Sequence, residues 1–138
     1  MNAEQRIRNS FDQQSIMATL GAALESVGQG KARIMLPYAE HICQQHGFLH
    51  AGVVSTILDS ACGYAGLSVM PEGSEVLTVE FKINLMSPAK GEHFLAEGRV
   101  VKAGRTLTIT QGEVVAVDGE KRTTVAIMTA TLMRVDAK

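Results

Sequence analysis

The chain has 138 residues, enough for one domain with a real core and too few for two ordinary ones. Lysine and arginine number 13 against 14 acidic residues, and a formal charge of −1 leaves no basic field for wrapping nucleic acid. Cys43 and Cys62 lie 19 residues apart with no Cys-x-x-Cys or Cys/His pairing, which neither suggests a disulfide framework nor supplies a zinc set, and both read as buried, reduced thiols.

The first stretch, MNAEQRIRNSFDQQS, mixes charges of both signs with amides and lacks the apolar run of a signal peptide or membrane span, so the protein reads as cytoplasmic and free of membrane. Ile7, Phe11, Met17, Leu20 and Leu24 form an imperfect helical stripe that predicts one amphipathic helix over 4–25, ended by Gly28 and Gly30. KARIMLP (31–37) alternates as a short strand, and 38–51 is irregular. The run QQHGFLHAGVVSTILDSACGYAG (44–66) reads as a long, almost uncharged central helix with that irregular segment leading into it. After Pro71-Glu72-Gly73 the period becomes two. Val79, Phe81, Ile83 and Leu85 are predicted on one face of a half-exposed strand, with Thr78, Glu80, Lys82 and Asn84 on the other. SPAKGE (87–92) and KAGR (102–105) read as turns, Asp118-Gly119 as a hairpin, and the Val-, Ile- and Thr-rich segments between them as antiparallel strands. One buried helix followed by a meander predicts an α+β layer in which an antiparallel sheet wraps the helix.

Asp59 is the one carboxylate of that helix. On a wheel, Gly52, Ser55, Thr56, Asp59, Cys62, Gly63 and Gly66 share an arc of small residues, opposite Val53, Val54, Ile57, Leu58, Ala61, Tyr64 and Ala65. A sheet would cover the apolar arc, while the small arc admits a second helix or a ligand close to Asp59. Glycine inside a helix costs roughly 1 kcal/mol relative to alanine, so Gly63 and Gly66 suggest that a close approach is needed. Burial without compensating bonds raises the pKa of such a carboxylate, which makes Asp59 a candidate base or nucleophile. The alternative is a structural Asp satisfied by a hydroxyl or a loop amide.

Just before the helix stands QHGFLHAG, and the first-turn N–H groups there lack intrahelical partners and suit a developing oxyanion. Gln44 offers an amide for a carbonyl or a water, and His50 is placed to orient it. His46, His50 and Gln44 also read as loop caps or surface residues. No Gly-x-Ser-x-Gly elbow is present, so Ser55 and Ser60 do not read as triad nucleophiles.

Gln44, HAG (50–52), Asp59 and LTVEFKINLMSPAKG (77–91) together resemble the hotdog-fold acyl-CoA thioesterases of the PaaI-like (phenylacetate-pathway) type, over about residues 30–135. The resemblance implies a single hotdog domain over 1–138, an antiparallel sheet wrapped around a long central helix, and hydrolysis of a small, aromatic or medium-chain acyl-CoA. It implies that Asp59 is the catalytic acid, as general base or nucleophile, that Thr78 positions the attacking water, that Gln44 contacts thioester or water, and that His50 steadies the amide. The N–H of Ala51 matches the oxyanion donor and Gly52 the motif's second glycine, although Ala51 replaces the usual first glycine. Homodimers with active sites shared between chains are implied, paired into tetramers in many members. No cofactor is implied beyond the coenzyme A of the substrate. Lys90, Lys102 and Arg105 are the candidates for its phosphates, while Phe48, Leu49, Tyr64 and Leu67 line the acyl pocket or belong to the core. Two rivals remain: a hotdog acyl-thioester dehydratase or hydratase, and a non-catalytic acyl-CoA-binding protein.

Overall fold

The chain enters its first helix through Asn2, whose side-chain oxygen accepts the N–H of Gln5 at 2.8 Å, satisfying a donor that the helix itself cannot. This helix, α1 (Ala3–Gln13), does not continue to residue 25 as its stripe suggests. Backbone at Gln14 is extended, a second short helix α2 (Ser15–Leu20) follows, and Gly21 ends it at φ +81°, a left-handed conformation that glycine adopts without strain. Residues 23–28 are a strand, β1 (Ala23–Gly28). Ile7, Phe11, Met17, Leu20 and Leu24 are all buried, so the stripe does mark the core side. A spacing of three or four residues serves a helix, a turn and the start of a strand equally well when each in turn lies on the same core. Gly28 and Gly30 do not stop a helix but flank a tight hairpin, with Gln29 at φ +52° and Gly30 at φ +81°.

The computed structural model describes residues 2–136; Met1, Ala137 and Lys138, the ends of the domain assigned from sequence, lie outside the described residues. β2 (Lys31–Pro37) matches its expected span. Residues 44–50 remain in the loop, and the central helix α3 runs Ala51–Leu67. β3 (Ser74–Leu85), β4 (His93–Ala103), β5 (Leu107–Asp118) and β6 (Lys121–Asp136) complete a six-stranded antiparallel sheet in the order β1-β2-β4-β5-β6-β3. β1 and β3 are therefore its edges. Asp118 pairs with Lys121 across the hairpin that Asp118-Gly119 signals.

Helix α3 lies on the sheet, with Ile57, Leu58, Ala61, Cys62 and Ala65 wholly buried. Gly98 and Gly112 face each other across β4 and β5, and a Cβ on Gly98 would fall 2.7 Å from the Ala61 backbone. Helix and sheet touch there at backbone distance, which only glycine permits. The same closeness corrects the helical wheel. A Cβ on Gly66 would collide with Leu132, and Cys62 lies over Gly112, so the far end of the small arc packs on the chain's own sheet. A wheel assumes one covered face along the whole helix, whereas the sheet and α1 together bury every residue from Ala61 to Leu67 and leave Ala51 and Gly52 exposed. What stays accessible of the small arc is Gly52, Ser55, Thr56 and Asp59. Among the described residues no helix is long and apolar enough to cross a membrane.

Candidate active site

Asp59 faces β3, and what it meets depends on a bulge. Thr78 pairs with Leu132 and Glu80 with Thr131, so Val79 is an extra residue without a partner. Leu132, Ala130, Met128 and Ala126 are buried on the helix side of β6, and their partners Thr78, Phe81, Ile83 and Leu85 share that side. Strict alternation puts Thr78 with Glu80, Lys82 and Asn84 on the opposite face; the bulge reverses this. Thr78 Oγ1 thereby donates a 2.8 Å hydrogen bond to Asp59 Oδ1. Burial pushes the Asp59 carboxyl above its ordinary value, and the Thr78 hydroxyl pulls in the other direction by stabilising the anion. Asp59 Oδ2 has no hydrogen-bond partner among the described residues.

One turn further along α3, the Cys62 thiol is pushed up to about 11, first by burial, with a Thr110 hydrogen bond opposing and the Asp59 charge adding. It stays protonated at neutral pH and is no nucleophile.

The entry to α3 forms the second half of the site. His50 caps the helix: its Nδ1 accepts the Gly52 N–H at 2.8 Å, and its carbonyl receives the N–H groups of Val53 and Val54. The Ala51 N–H has no protein acceptor among the described residues, and Ala51 needs no positive φ, since it is the first residue of the helix. Gln44 turns its side-chain oxygen inward, where it accepts the N–H groups of His46 and of Phe48, the latter at 3.2 Å. The amide nitrogen of Gln44 has no acceptor among the described residues. Among the described residues no hydrogen bond joins His50 to Gln44; His50 acts on the helix end and Gln44 is held by its own loop. His46 is exposed and contributes only its backbone.

A cavity of about 430 Å³ opens here, with Gln44, Phe48, Leu49 and Ala51 in its wall. Leu85, Met86, Ser87, Pro88, Ala89 and Val125 form the rest with Val54. Sequence reasoning read 87–92 as a turn, with 87–91 in the family motif and Lys90 toward the phosphates, but not Ser87, Pro88 or Ala89 as cavity wall, and had no signal for Val125, the extra residue of a bulge between the partners of Val114 and Val115. Tyr64 lies elsewhere: it packs on Phe11, and its hydroxyl receives a 2.6 Å bond from Gln14 Nε2 and lies 3.1 Å from Ser10 Oγ, so it anchors α1. Leu67 is in the core. Lys90 follows the cavity residue Ala89, whereas Lys102 lies toward the other end, in the row that runs through Ile109 and Thr131 to Glu80, and Arg105 stands in the turn between β4 and β5 that follows it. None of these three forms an ion pair among the described residues.

A family model described as the thioesterase superfamily matches residues 46–123. The crystal structure of a thioesterase family protein from Silicibacter pomeroyi is similar at 50% identity and a TM-score of 0.94, over 96% of this chain and 98% of that one. The E. coli PaaI protein of the phenylacetic acid degradation operon, 19% identical with a TM-score of 0.86 over 97% of this chain and 94% of its own, has the same fold. A Saccharolobus solfataricus protein whose name assigns it provisionally to the esterases is 30% identical over 76% of this chain and 74% of its own.

Proposed function

The chain belongs to the thioesterase superfamily as a hotdog-fold thioester hydrolase, and we propose that its substrate is an acyl-CoA, cleaved to free acid and coenzyme A through Asp59. The observation that carries this reading is the half-buried Asp59 carboxylate, bonded at 2.8 Å by Thr78, on the stretch of α3 that the sheet leaves open. As a base, Asp59 accepts a proton from water while the water oxygen bonds to the thioester carbon. The Ala51 N–H and the Gln44 amide hydrogens receive the oxyanion. Collapse breaks the carbon–sulfur bond, and the proton passes from Asp59 to the departing thiolate. As a nucleophile, the same carboxylate would form an anhydride that water then opens.

One chain does not bring these groups together. Asp59 lies eight residues along α3 from Ala51, roughly 12 Å at about 1.5 Å per residue. Two α3 helices running antiparallel and crossing near Ser55 set the Ala51 of each beside the Asp59 of the other. Ser55 and Thr56 favour such contact, because their hydroxyls already donate to the carbonyls of Ala51 and Gly52 at 2.8 Å each. β3 supports it as well: an open edge carrying exposed Leu77, Val79 and Phe81 suits a second copy. We therefore place each site between two chains of a homodimer, with pairing into tetramers as a further step. Lys90 of one chain and Lys102 and Arg105 of the other would face the coenzyme's phosphates.

Helix α3 carries Asp59 and no Glu, and within one chain the side chain that bonds Asp59 is Thr78 rather than a histidine, which disfavours a dehydratase. Cys62 is buried as expected and Cys43 only half-buried; both are free, which suits a reducing cytoplasm. Thiol release from an acyl-CoA panel tests the reading: turnover by the wild type and its loss in Asp59→Asn are expected, and equal turnover by both removes Asp59 from the chemistry.

A further inference from the structure

The face of the sheet turned away from α3 carries two exposed rows that run across four strands. Strand pairing sets Asn84, Ile127, Glu113 and Glu97 side by side in one row, and Lys82, Thr129, Gln111 and Arg99 in the next. Together they wall a cavity of about 410 Å³ on the side of the sheet opposite Asp59. One chain does not satisfy these rows. Glu97 and Glu113 are direct cross-strand partners, and like charges so placed repel. Arg33 answers Glu97 at 2.7 Å, while the Glu113 carboxylate has neither an ion pair nor a hydrogen bond among the described residues. Beside it Ile127 is 43% exposed. Lys82 donates to Asn84 at 3.0 Å and Arg99 to Gln111 at 2.9 Å, and each cation carries more N–H groups than that bond uses.

Resting on the homodimer proposed above, we infer that two such dimers pair back to back through these rows, the outer face of each sheet covering the other. A two-fold axis that crosses the strands between the rows lays each residue over the residue of the other row on the same strand. Arg99 of one copy then meets Glu97 of the other, Gln111 meets Glu113, Lys82 meets Asn84, and Thr129 meets Ile127. Every polar pair sets a donor against an acceptor, and Arg99 also comes within one strand of the unanswered Glu113. Sheets stacked face to face stand about 10 Å apart, which opposed Arg and Glu side chains span.

Symmetry leads to the same axis. The two-fold axes of a dimer of dimers meet, and the axis of the proposed dimer passes through the α3 crossing near Ser55. Asp59 is bonded to Thr78, and Val54 shares a cavity with Leu85, so the crossing falls between those two levels of β3, near Ile83. Ile83 is the residue between Lys82 and Asn84. An axis through that level and across the strands runs between the two rows.

Light scattering on size-separated protein reads the assembly, and thiol release per chain reads the site on the other face. The wild type is expected to be a tetramer at low ionic strength and to shift toward dimers as salt screens the pairs. Arg99→Glu sets a carboxylate against Glu97, and Glu97→Arg sets a cation against Arg99. Each variant should give folded dimers, checked by thermal melting, with unchanged thiol release. Mixing the two dimers makes both pairings complementary again, so the mixture should form tetramers. Lys121→Glu, the same change of charge placed on the β5–β6 hairpin, should remain tetrameric. An active wild-type dimer at every concentration overturns the pairing of these faces and leaves the shared site standing. So do tetramers that survive Arg99→Glu, a mixture of folded variants that stays dimeric, or equal dissociation in Lys121→Glu. A wild-type monomer overturns the homodimer as well.

Discussion

At the scale of single residues the proposed chemistry rests on Asp59 and the hydroxyl that bonds it at 2.8 Å. Asp59→Asn keeps the shape but can neither accept a proton nor attack a carbonyl, so hydrolysis should fall by at least a hundredfold. Its stability should move the other way. Burial raises the carboxyl's pKa above its unfolded value, so the folded state binds the extra proton and stability is lost as pH rises through that shifted range. The Asn variant escapes this penalty, and its melting temperature at neutral pH should equal or exceed the wild type's; a clear drop would mean that the ionised carboxylate holds the fold together. Thr78→Val removes the one hydrogen bond that opposes the shift, so Asp59 should titrate higher and the acid limb of kcat/KM should move to higher pH. A limb that stays in place or moves lower contradicts the role given to Thr78. Asp59 was legible in the sequence as a lone charge in an apolar helix. Thr78 was not legible from alternation, which sends it to the wrong face, and came only through the family resemblance.

At the scale of elements, the strands that alternate cleanly and the turns that carry Asp-Gly or Pro were readable, because their signals are local. Three features were not. The split of 4–25 into α1, α2 and β1 hides behind a stripe that never leaves the core. The bulge at Val79 has no residue signature, since Val suits a regular strand as well as a bulged one. The close packing beneath α3 depends on Gly98 and Gly112, which meet only because β4 and β5 pair in that register. Gly98→Ala should cost about 1–3 kcal/mol, read as a lower urea midpoint, because its Cβ enters the Ala61 backbone. Tyr64→Phe should cost about 1 kcal/mol through the lost bonds to Gln14 and Ser10, with KM unchanged across acyl groups. A shifted KM would return Tyr64 to the acyl pocket, one of the two places the sequence left open for it.

For the whole molecule, the chain presents a site in two halves. One end of α3 offers hydrogen-bond donors and an apolar cavity, and the carboxylate stands about two turns away on the same helix, too far for one substrate carbonyl to reach both. In the proposed dimer the open edge of β3 and the accessible arc of Gly52, Ser55, Thr56 and Asp59 meet a second copy, so that each half is completed by the other chain. Subunit complementation measures this directly. Gln44→Ala and Asp59→Ala homodimers should each be nearly inactive. When they are unfolded and refolded together, random pairing makes roughly half of the dimers mixed, each with one site carrying both defects and one carrying neither. Shared sites predict recovery to roughly a quarter of wild-type activity. No recovery, with exchange confirmed by tagged chains, would contradict the shared site and the function assigned to the open face of α3.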